Sequence, residues 1–391
     1  MYIIFIIYVI PYCIAIQNTI SKSHRENMHL QSLNLINFRS YTALSIGFPP
    51  EGALFEGLNG AGKTNLLESI HLLCTGRSQR GASRGDMISH GQESAFAEGV
   101  FVAADGRETG AAIGFSRDKK IVMKRDGAEV GAFSEWFGER PAVSFGTDDL
   151  ELVYGPPDAR RKFLDMLLSQ TDRAYLEALT SYRRNMACRN ALLDKTEDAV
   201  QFEVYEQAMA EAGSELVLRR AEAVGELASL SADFYNQISD CGETADVVYA
   251  QNFKCEFNTA YEWRNIYSDS LAERRKRDAE LMFTASGPHR DDLRFTLDGK
   301  PAKSFASQGQ CRSFALSLKL GSVLLLERRK KDNMIFLIDD AVSELDPMRT
   351  SRVYPLLEGR GQIFIATPRC QAELGKQVLR CQVEPGKVIV Q

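Results

Sequence analysis

The apolar residues of this chain fall into two periods. Leu33 and Leu35, then Leu44, Ile46 and Phe48, alternate with polar neighbours, the period-2 pattern of half-buried strands. Asn37-Phe38-Arg39-Ser40-Tyr41 lies between the two runs and is expected to turn them into a hairpin. Ala53-Leu54-Phe55-Glu56 reads as a further short strand, after which Leu66, Leu67, Ile70, Leu73 and Cys74 recur at helical spacing. Between roughly Asp158 and Ser286 the helical period dominates. Pro156-Pro157-Asp158 suits a helix start, Phe163, Leu164, Leu167 and Leu168 form a stripe, and Met209, Leu216, Leu218, Val224, Leu227 and Leu230 mark a longer amphipathic stretch. Met334 to Ile338 is an unbroken apolar run, as in a strand buried on both faces, and Ile363-Phe364-Ile365-Ala366 is another that ends at Thr367.

The segment before Met28 follows neither pattern. Tyr2 to Ile16 is apolar but interrupted by Pro11, shorter than the ~18–20 residues that span a bilayer, and preceded by no basic residue as a secretory leader would be. Its Ile, Tyr, Asn and Ser give way after Met28 to Ala, Gly, Arg, Leu and Glu. Residues 1–27 are therefore expected to be a spurious extension with Met28 as the genuine start, the alternative being a membrane-associated leader.

Composition narrows the class without choosing a function. A chain of 391 residues, 44% hydrophobic and 25% charged, is long enough for two or three packed units of ordinary globular kind. Its net charge of -5 announces no nucleic-acid partner, though a basic face can coexist with an acidic total. The eight cysteines are scattered and form no C-x-x-C pair, which argues against zinc and fits a reducing cytosol.

The chemistry lies in the stretches between the apolar runs. Gly57-Leu58-Asn59-Gly60-Ala61-Gly62-Lys63-Thr64 matches G-x-x-x-x-G-K-[ST] at every fixed position, with a strand before it and an amphipathic helix after. Glycines let backbone N–H groups converge on a phosphate chain, and the helix N-terminus adds partial positive charge. Lys63 is expected to reach the β- and γ-phosphates of ATP and Thr64 to bind Mg²⁺. The Met334–Ile338 strand ends in Asp339-Asp340: Asp339 is expected to hold Mg²⁺ through water, and Asp340 to act as general base for the attacking water. Asp340 is one methylene shorter than a Glu, which points to slow hydrolysis, because positioning is nearly all of phosphoryl-transfer catalysis.

Ser307-Gln308-Gly309-Gln310 opens a helix, and Ser343-Glu344-Leu345-Asp346 follows the acidic pair. P-loop, S-x-G-Q, acidic strand, S-x-L-D loop and a final polar residue (Thr367) come in an order similar to that of ABC-type ATPases. That resemblance implies an ATP sandwiched between one protomer's P-loop and the signature of another, with Ser307, Gly309 and Gln310 on the nucleotide. The expected fold is α/β, an ABC-type P-loop ATPase head of two lobes with an inserted helical arm. Its parts are lobe I at 28–157, the arm at 158–286 and lobe II at 287–391.

From Met28 to Gln391 the chain further resembles the bacterial RecF family. The stretches that carry this include Asn37-Phe38-Arg39-Ser40-Tyr41, Gly62 to Glu68, Asp148-Asp149-Leu150, Arg160-Arg161-Lys162-Phe163-Leu164-Asp165 and Gly287-Pro288-His289-Arg290-Asp291-Asp292-Leu293. Cys311, where that family more often has Gln, and Gly146-Thr147, in place of its Ser-Pro, are departures. The resemblance implies a cytoplasmic, slow, DNA-stimulated ATPase of replication, gap repair and SOS induction. It also implies Arg39 as a nucleotide contact, an ATP-dependent homodimer, and partners in double-stranded DNA, ssDNA–dsDNA junctions, RecR, RecO and RecA, with no membrane. An ABC transporter ATPase subunit and a nuclease-coupled defence ATPase are the competing classes.

Two features stay open in the sequence. Basic clusters at Arg160-Arg161-Lys162, Arg183-Arg184, Arg219-Arg220, Arg274-Arg275-Lys276-Arg277 and Arg328-Arg329-Lys330-Lys331 are either solvated helix faces or phosphate contacts. His289 with Asp291 and Asp292 is either an acid–base or metal group or, as favoured here, an ordering network of hydrogen bonds.

Overall fold

The computed structural model describes residues 28–118, 120–195, 199–239, 242–330, 334–339, 352, 355–368 and 378–391. Strands β1 (His29–Phe38) and β2 (Tyr41–Gly47) form the expected hairpin, and β3 (Gly52–Glu56) runs into helix α1 (Lys63–Thr75). The hairpin is extended by β4 (Ser94–Val102), β5 (Glu108–Ser116), β6 (Ile121–Arg125) and β7 (Ala128–Glu129) into an antiparallel sheet of order β2-β1-β4-β5-β6-β7. After the single turn α2 (Phe133–Trp136), strand β8 (Ala142–Gly146) leaves that sheet.

Helices α3 (Glu151–Tyr154), α4 (Pro157–Thr171), α5 (Arg173–Leu192) and α6 (Ala199–Ser239) follow. Strand β9 (Ala245–Ala250), helices α7 (Ala260–Glu273) and α8 (Arg275–Leu281), strands β10 (Asp292–Leu297) and β11 (Lys300–Pro301), and helices α9 (Ala302–Phe305) and α10 (Gln308–Lys330) come next. The chain ends in β12 (Met334–Asp339), β13 (Gly361–Thr367), β14 (Leu379–Glu384) and β15 (Lys387–Val390). Among the described residues the second large sheet has the order β15-β14-β3-β13-β12-β8, with β14, β3, β13, β12 and β8 parallel. Strands from both ends of the chain thus lie side by side.

Alternation along those strands explains the layers. Ala53, Phe55, Ile335, Leu337, Phe364 and Ala366 point to one face and join the core around α1 and the antiparallel sheet. Leu54, Val143, Phe145, Met334, Phe336, Ile338 and Ile365 point to the other and join the core of α4, α5, α6 and α10. Burial on both faces is why these strands read as unbroken apolar runs.

The stretch at 158–286, expected to be helical, differs in one respect. It contains β9, whose residues Ala245 to Ala250 pair antiparallel with Leu297 to Asp292 of β10. Val247, Val248 and Tyr249 favour an extended backbone, and six residues are too few to stand out between long helical patterns. Helix α6 shares one core with α10, so this segment is packed against the head over much of its length.

The Gly287–Asp292 loop joins these helices. Arg220 of α6, buried, donates to Asp165 of α4 (2.7 Å), to the Tyr175 hydroxyl of α5 (2.9 Å) and to the Pro288 carbonyl (2.7 Å). Asp291 accepts from the Tyr249 hydroxyl and the Asn252 N–H, and Arg160 forms a bidentate pair with Asp292 (2.6 and 3.0 Å). Gly287 has a φ of +134°, and a Cβ there would run into the Tyr267 and Tyr182 hydroxyls. A second buried centre has Arg189 bonded to Glu206 (3.0 Å), Asp278 (2.8 Å) and the Thr284 hydroxyl (2.8 Å).

His289 sits within the first network. Its Nε2 faces the Thr284 carbonyl at 2.9 Å, so that nitrogen carries the proton and Nδ1 accepts from the Tyr182 hydroxyl at 2.8 Å. The ordering reading of His289, Asp291 and Asp292 fits these contacts, since each group is occupied by a structural partner.

Burial, with help from the neighbouring Arg290, Arg161 and Arg220 charges, lowers the His289 pKa from 6.5 to about 4, against an opposing pull from the Thr284 carbonyl. The folded protein therefore holds the neutral ring, and the unfolded chain takes up the proton first as pH falls. The His289 contribution should be complete above pH ~6.5 and be lost as pH drops toward 4, by on the order of 3 kcal/mol. Urea midpoints across that range should fall less steeply for His289→Gln than for the wild type. Parallel curves would contradict the assignment.

Candidate nucleotide site

Strand β3 delivers the chain to the P-loop at the carboxyl edge of the parallel sheet, where three glycines have separate steric reasons. A Cβ on Gly57 would run into the Val383 carbonyl of β14. Gly60 takes a φ of +83°. Gly62 takes +111°, and a Cβ there would lie 2.7 Å from the Ser40 hydroxyl oxygen and 2.9 Å from that of Tyr41. Gly62 also caps α1, whose first turn carries no acidic residue. That leaves the positive end of the helix free of a competing internal anion.

Lys63 is almost fully buried and donates to the Gly57 and Leu58 carbonyls at 2.8 and 3.1 Å, so its ammonium lies inside the loop that Gly57 to Gly62 draws. Leu58, Asn59 and Gly60 form the exposed rim, and Ala61 is buried beneath. The Thr64 hydroxyl donates to Asp339 Oδ1 at 2.9 Å, although the two residues are 275 positions apart. A hydroxyl and a carboxylate meeting at the end of a buried strand are both hard oxygen donors, the set that suits Mg²⁺.

The hairpin turn packs against this loop. Asn37 and Arg39 take left-handed conformations, with φ of +51° and +52°. The Tyr41 hydroxyl donates to the Gly62 carbonyl (3.1 Å), and burial raises the phenol's pKa well above its usual range. Asn65 Nδ2 donates to the Ser40 hydroxyl at 2.9 Å. Arg39, expected at the nucleotide, makes a bidentate pair with the fully buried Glu68 at 2.7 and 2.9 Å and donates to the Asp86 carbonyl at 2.7 Å. The pair ties the hairpin to α1, because the buried carboxylate of Glu68 needs a cation. Glu68 stands out in sequence as an acid inside the apolar stripe Leu66, Leu67 and Ile70.

Further along α1, the His71 Nδ1–H donates to the Arg77 carbonyl at 2.9 Å. Burial is the main cause that lowers the ring's pKa to about 4. This contact ties α1 to the loop that follows it.

The S-x-G-Q residues lie elsewhere in the protomer. Ser307 and Gln310 cap α10 reciprocally: the Ser307 N–H donates to Gln310 Oε1 (2.6 Å) and the Gln310 N–H to the Ser307 hydroxyl (3.2 Å). Gln310 Nε2 donates to Glu243, and Gly309 is half-buried. Among the described residues, no hydrogen bond joins Ser307 or Gln310 to the P-loop. Ser307 is exposed. Asp340 and Ser343-Glu344-Leu345-Asp346 lie outside the described residues, whereas Thr367 is in place, opposite Glu56 where β13 pairs with β3.

The basic clusters divide. Arg160 and Arg220 are buried in the Gly287–Asp292 network. Arg219 pairs with Asp172 and Glu215, Arg275 with Glu206, and Arg329 with Glu226. Their partners lie on other elements or other turns, which a reading of local charge runs could not see. Lys162, Arg183, Arg184, Lys276, Arg277 and Arg328 remain exposed, as do Arg77 and Arg290 outside the clusters.

Similarity to known proteins agrees with this geometry. Residues 32–211 match the family model described as an AAA domain. The chain is 34% identical to a DNA replication and repair protein RecF from Heliobacterium modesticaldum, over 91% of this chain and 96% of that one. It is 35% identical to one from Symbiobacterium thermophilum, over 86% and 91%. A solved structure of the recombination mediator protein RecF with ATP, in the RecFOR pathway, superposes with a TM-score of 0.87 at 28% identity, covering 94% of this chain and 98% of that one. An Smc head domain from Pyrococcus furiosus shares the fold alone, with a TM-score of 0.54 at 16% identity. No described helix is long and apolar enough to cross a membrane.

Proposed function

The chain belongs to the RecF family of DNA replication and repair proteins, and on that premise we propose that it is an ATP-driven clamp on gapped DNA. In this reading it binds duplex DNA and ssDNA–dsDNA junctions as an ATP-dependent homodimer, and with RecO and RecR it helps load RecA for repair and SOS induction. The observation that carries the proposal is the 2.9 Å contact between Thr64 and Asp339, which brings a P-loop and an acidic strand end together. Those two oxygens would hold Mg²⁺, which screens the phosphate charge of a bound ATP. Lys63 neutralises the β- and γ-phosphates, and the α1 N-terminus donates to them. The exposed Ser307 suits a contact made across a dimer rather than within one chain. A transporter subunit and a nuclease-coupled ATPase are both disfavoured by the family.

One group of the exposed cations is the face proposed for DNA. The fields of Arg161, Lys162 and Arg183 all reach Asp158, that of Arg183 reaches Arg77, and those of Arg290 and Arg161 reach His289. These side chains are therefore neighbours, with Lys162 paired to the exposed Asp158 and Arg183 to Asp165, each at 2.7 Å. Such a patch meets phosphates without reading bases. Binding to gapped duplex should weaken steeply with salt, with a log–log slope near -0.9 per phosphate contacted. Fluorescence anisotropy on Lys162→Glu/Arg290→Glu should give a slope shallower by about 2. A slope equal to that of the wild type would remove this face from the DNA path.

The dimer itself can be tested by mixing variants. Lys63→Ala removes the phosphate-binding ammonium, and Ser307→Arg puts a bulky side chain where a partner's γ-phosphate docks. Each homodimer should be inactive, but a mixed dimer keeps one site with both an intact Lys63 and an intact Ser307. Mixing should restore part of the DNA-stimulated hydrolysis. If either variant alone hydrolyses ATP at the wild-type rate, the shared site is refuted.

A further inference from the structure

Gln79, in the loop after α1, has a buried side-chain carbonyl oxygen with no hydrogen-bond partner among the described residues. Leaving such a group unsatisfied costs about 1–3 kcal/mol, so its position calls for an explanation. The amide lies beside Gly146: its Nε2 is 4.0 Å from where a Gly146 Cβ would stand. Gly146 in turn is directly opposite Asp339 in the parallel pair of β8 and β12. Gln79 therefore reaches the carboxyl edge of the sheet at the strand next to the Thr64–Asp339 contact.

Both sides of this spot are held firmly. Ser78 donates to Glu68, the carboxylate that Arg39 grips, and its hydroxyl accepts from the Arg80 and Ala82 N–H groups at 3.2 and 3.1 Å. Opposite, Lys319 of α10 donates to the Ser144 carbonyl and pairs with Asp149, each at 2.8 Å, and Asp149 accepts from the Gly146 N–H at 3.0 Å. The backbone on both sides of the amide is thus fixed.

We propose that Gln79 is a further residue of the nucleotide site, its side-chain carbonyl accepting a hydrogen bond from a water carried on the metal at Thr64 and Asp339. The inference rests on the reading of that pair as the Mg²⁺·ATP site. The partner that Oε1 lacks must be a donor, whereas the Asp339 carboxylate on the strand beside Gly146 is an acceptor. A water polarised by a divalent cation is a strong donor and can bridge an amide carbonyl and a carboxylate. Gln79 then acts as a positioning residue that responds to whether the metal has arrived, and the chain Arg39–Glu68–Ser78 links it to the hairpin beside the P-loop.

The test is a titration of a fluorescent ATP analogue with Mg²⁺ and again with EDTA, on the full chain, for the wild type, Gln79→Leu and Gln79→Glu. Gln79→Leu should bind about tenfold more weakly with Mg²⁺, the worth of one hydrogen bond to a charged centre, and unchanged in EDTA. Gln79→Glu, which places a carboxylate at the same spot, should keep or strengthen the Mg²⁺ dependence. Equal losses for Gln79→Leu with and without Mg²⁺ would show a merely structural role, and unchanged affinity in both would show none; either overturns the proposal. If the wild type itself binds no nucleotide, the underlying assignment of the site falls with it.

Discussion

One constraint governs this molecule: the Thr64 hydroxyl and the Asp339 carboxylate, 275 residues apart, must lie 2.9 Å from each other. They do so because β3, which leads through the P-loop to Thr64, and β12, which ends at Asp339, run parallel with β13 between them, so that their carboxyl ends share one edge. Parallel neighbours need crossovers that leave the sheet and return. The chain between β3 and β12 meets that need twice over, once with α1 and the antiparallel sheet and once with the long helices. Each excursion covers one face, which is why Phe336 and Leu337, adjacent in sequence, belong to different cores.

An excursion of this length holds the sheet in register only if it is itself rigid. The helices are fixed by buried ion pairs as much as by apolar packing. Arg220 joins α4, α5 and the Gly287–Asp292 loop, and Arg189 joins α5, α6 and α8. Desolvating such charges is expensive, so the pairs add little net stability. Losing one partner, however, leaves a buried charge exposed to a low dielectric and costs about 3–5 kcal/mol. Their value is specificity: a helix that slides leaves Asp165 or Asp278 without its arginine. On the other face the hairpin does the same for the P-loop, through Arg39–Glu68, Tyr41–Gly62 and Ser40–Asn65.

What could be read from the sequence follows from how local the chemistry is. The P-loop and the strand into Asp339 are contiguous stretches whose residue types state their own geometry, and the hairpin at Asn37–Tyr41 is a local turn. The α/β head was legible for the same reason. The fate of the arginines was not, because it depends on distant partners: Arg160 meets Asp292 across 132 positions and Arg189 meets Asp278 across 89. Strand β9 was hidden by its shortness. Glu68 stands out locally as an acid in an apolar stripe, but that Arg39 of the Asn37–Tyr41 motif is its partner, 29 positions away, could not be read from either stretch. Gln79 carries no motif, and only the backbone of β8 gives it meaning.

The central claim is that Thr64 and Asp339 act as one unit on a metal-bound nucleotide. A double-mutant cycle in Mg²⁺-dependent ATP binding tests it most directly, with Thr64→Ala, Asp339→Asn and the double variant compared with the wild type by calorimetry. The account predicts strong coupling: each single change removes most of the Mg²⁺-dependent affinity, and the double variant is no worse than the weaker single one. Losses that simply add, or Mg²⁺ dependence that survives both changes, would contradict it.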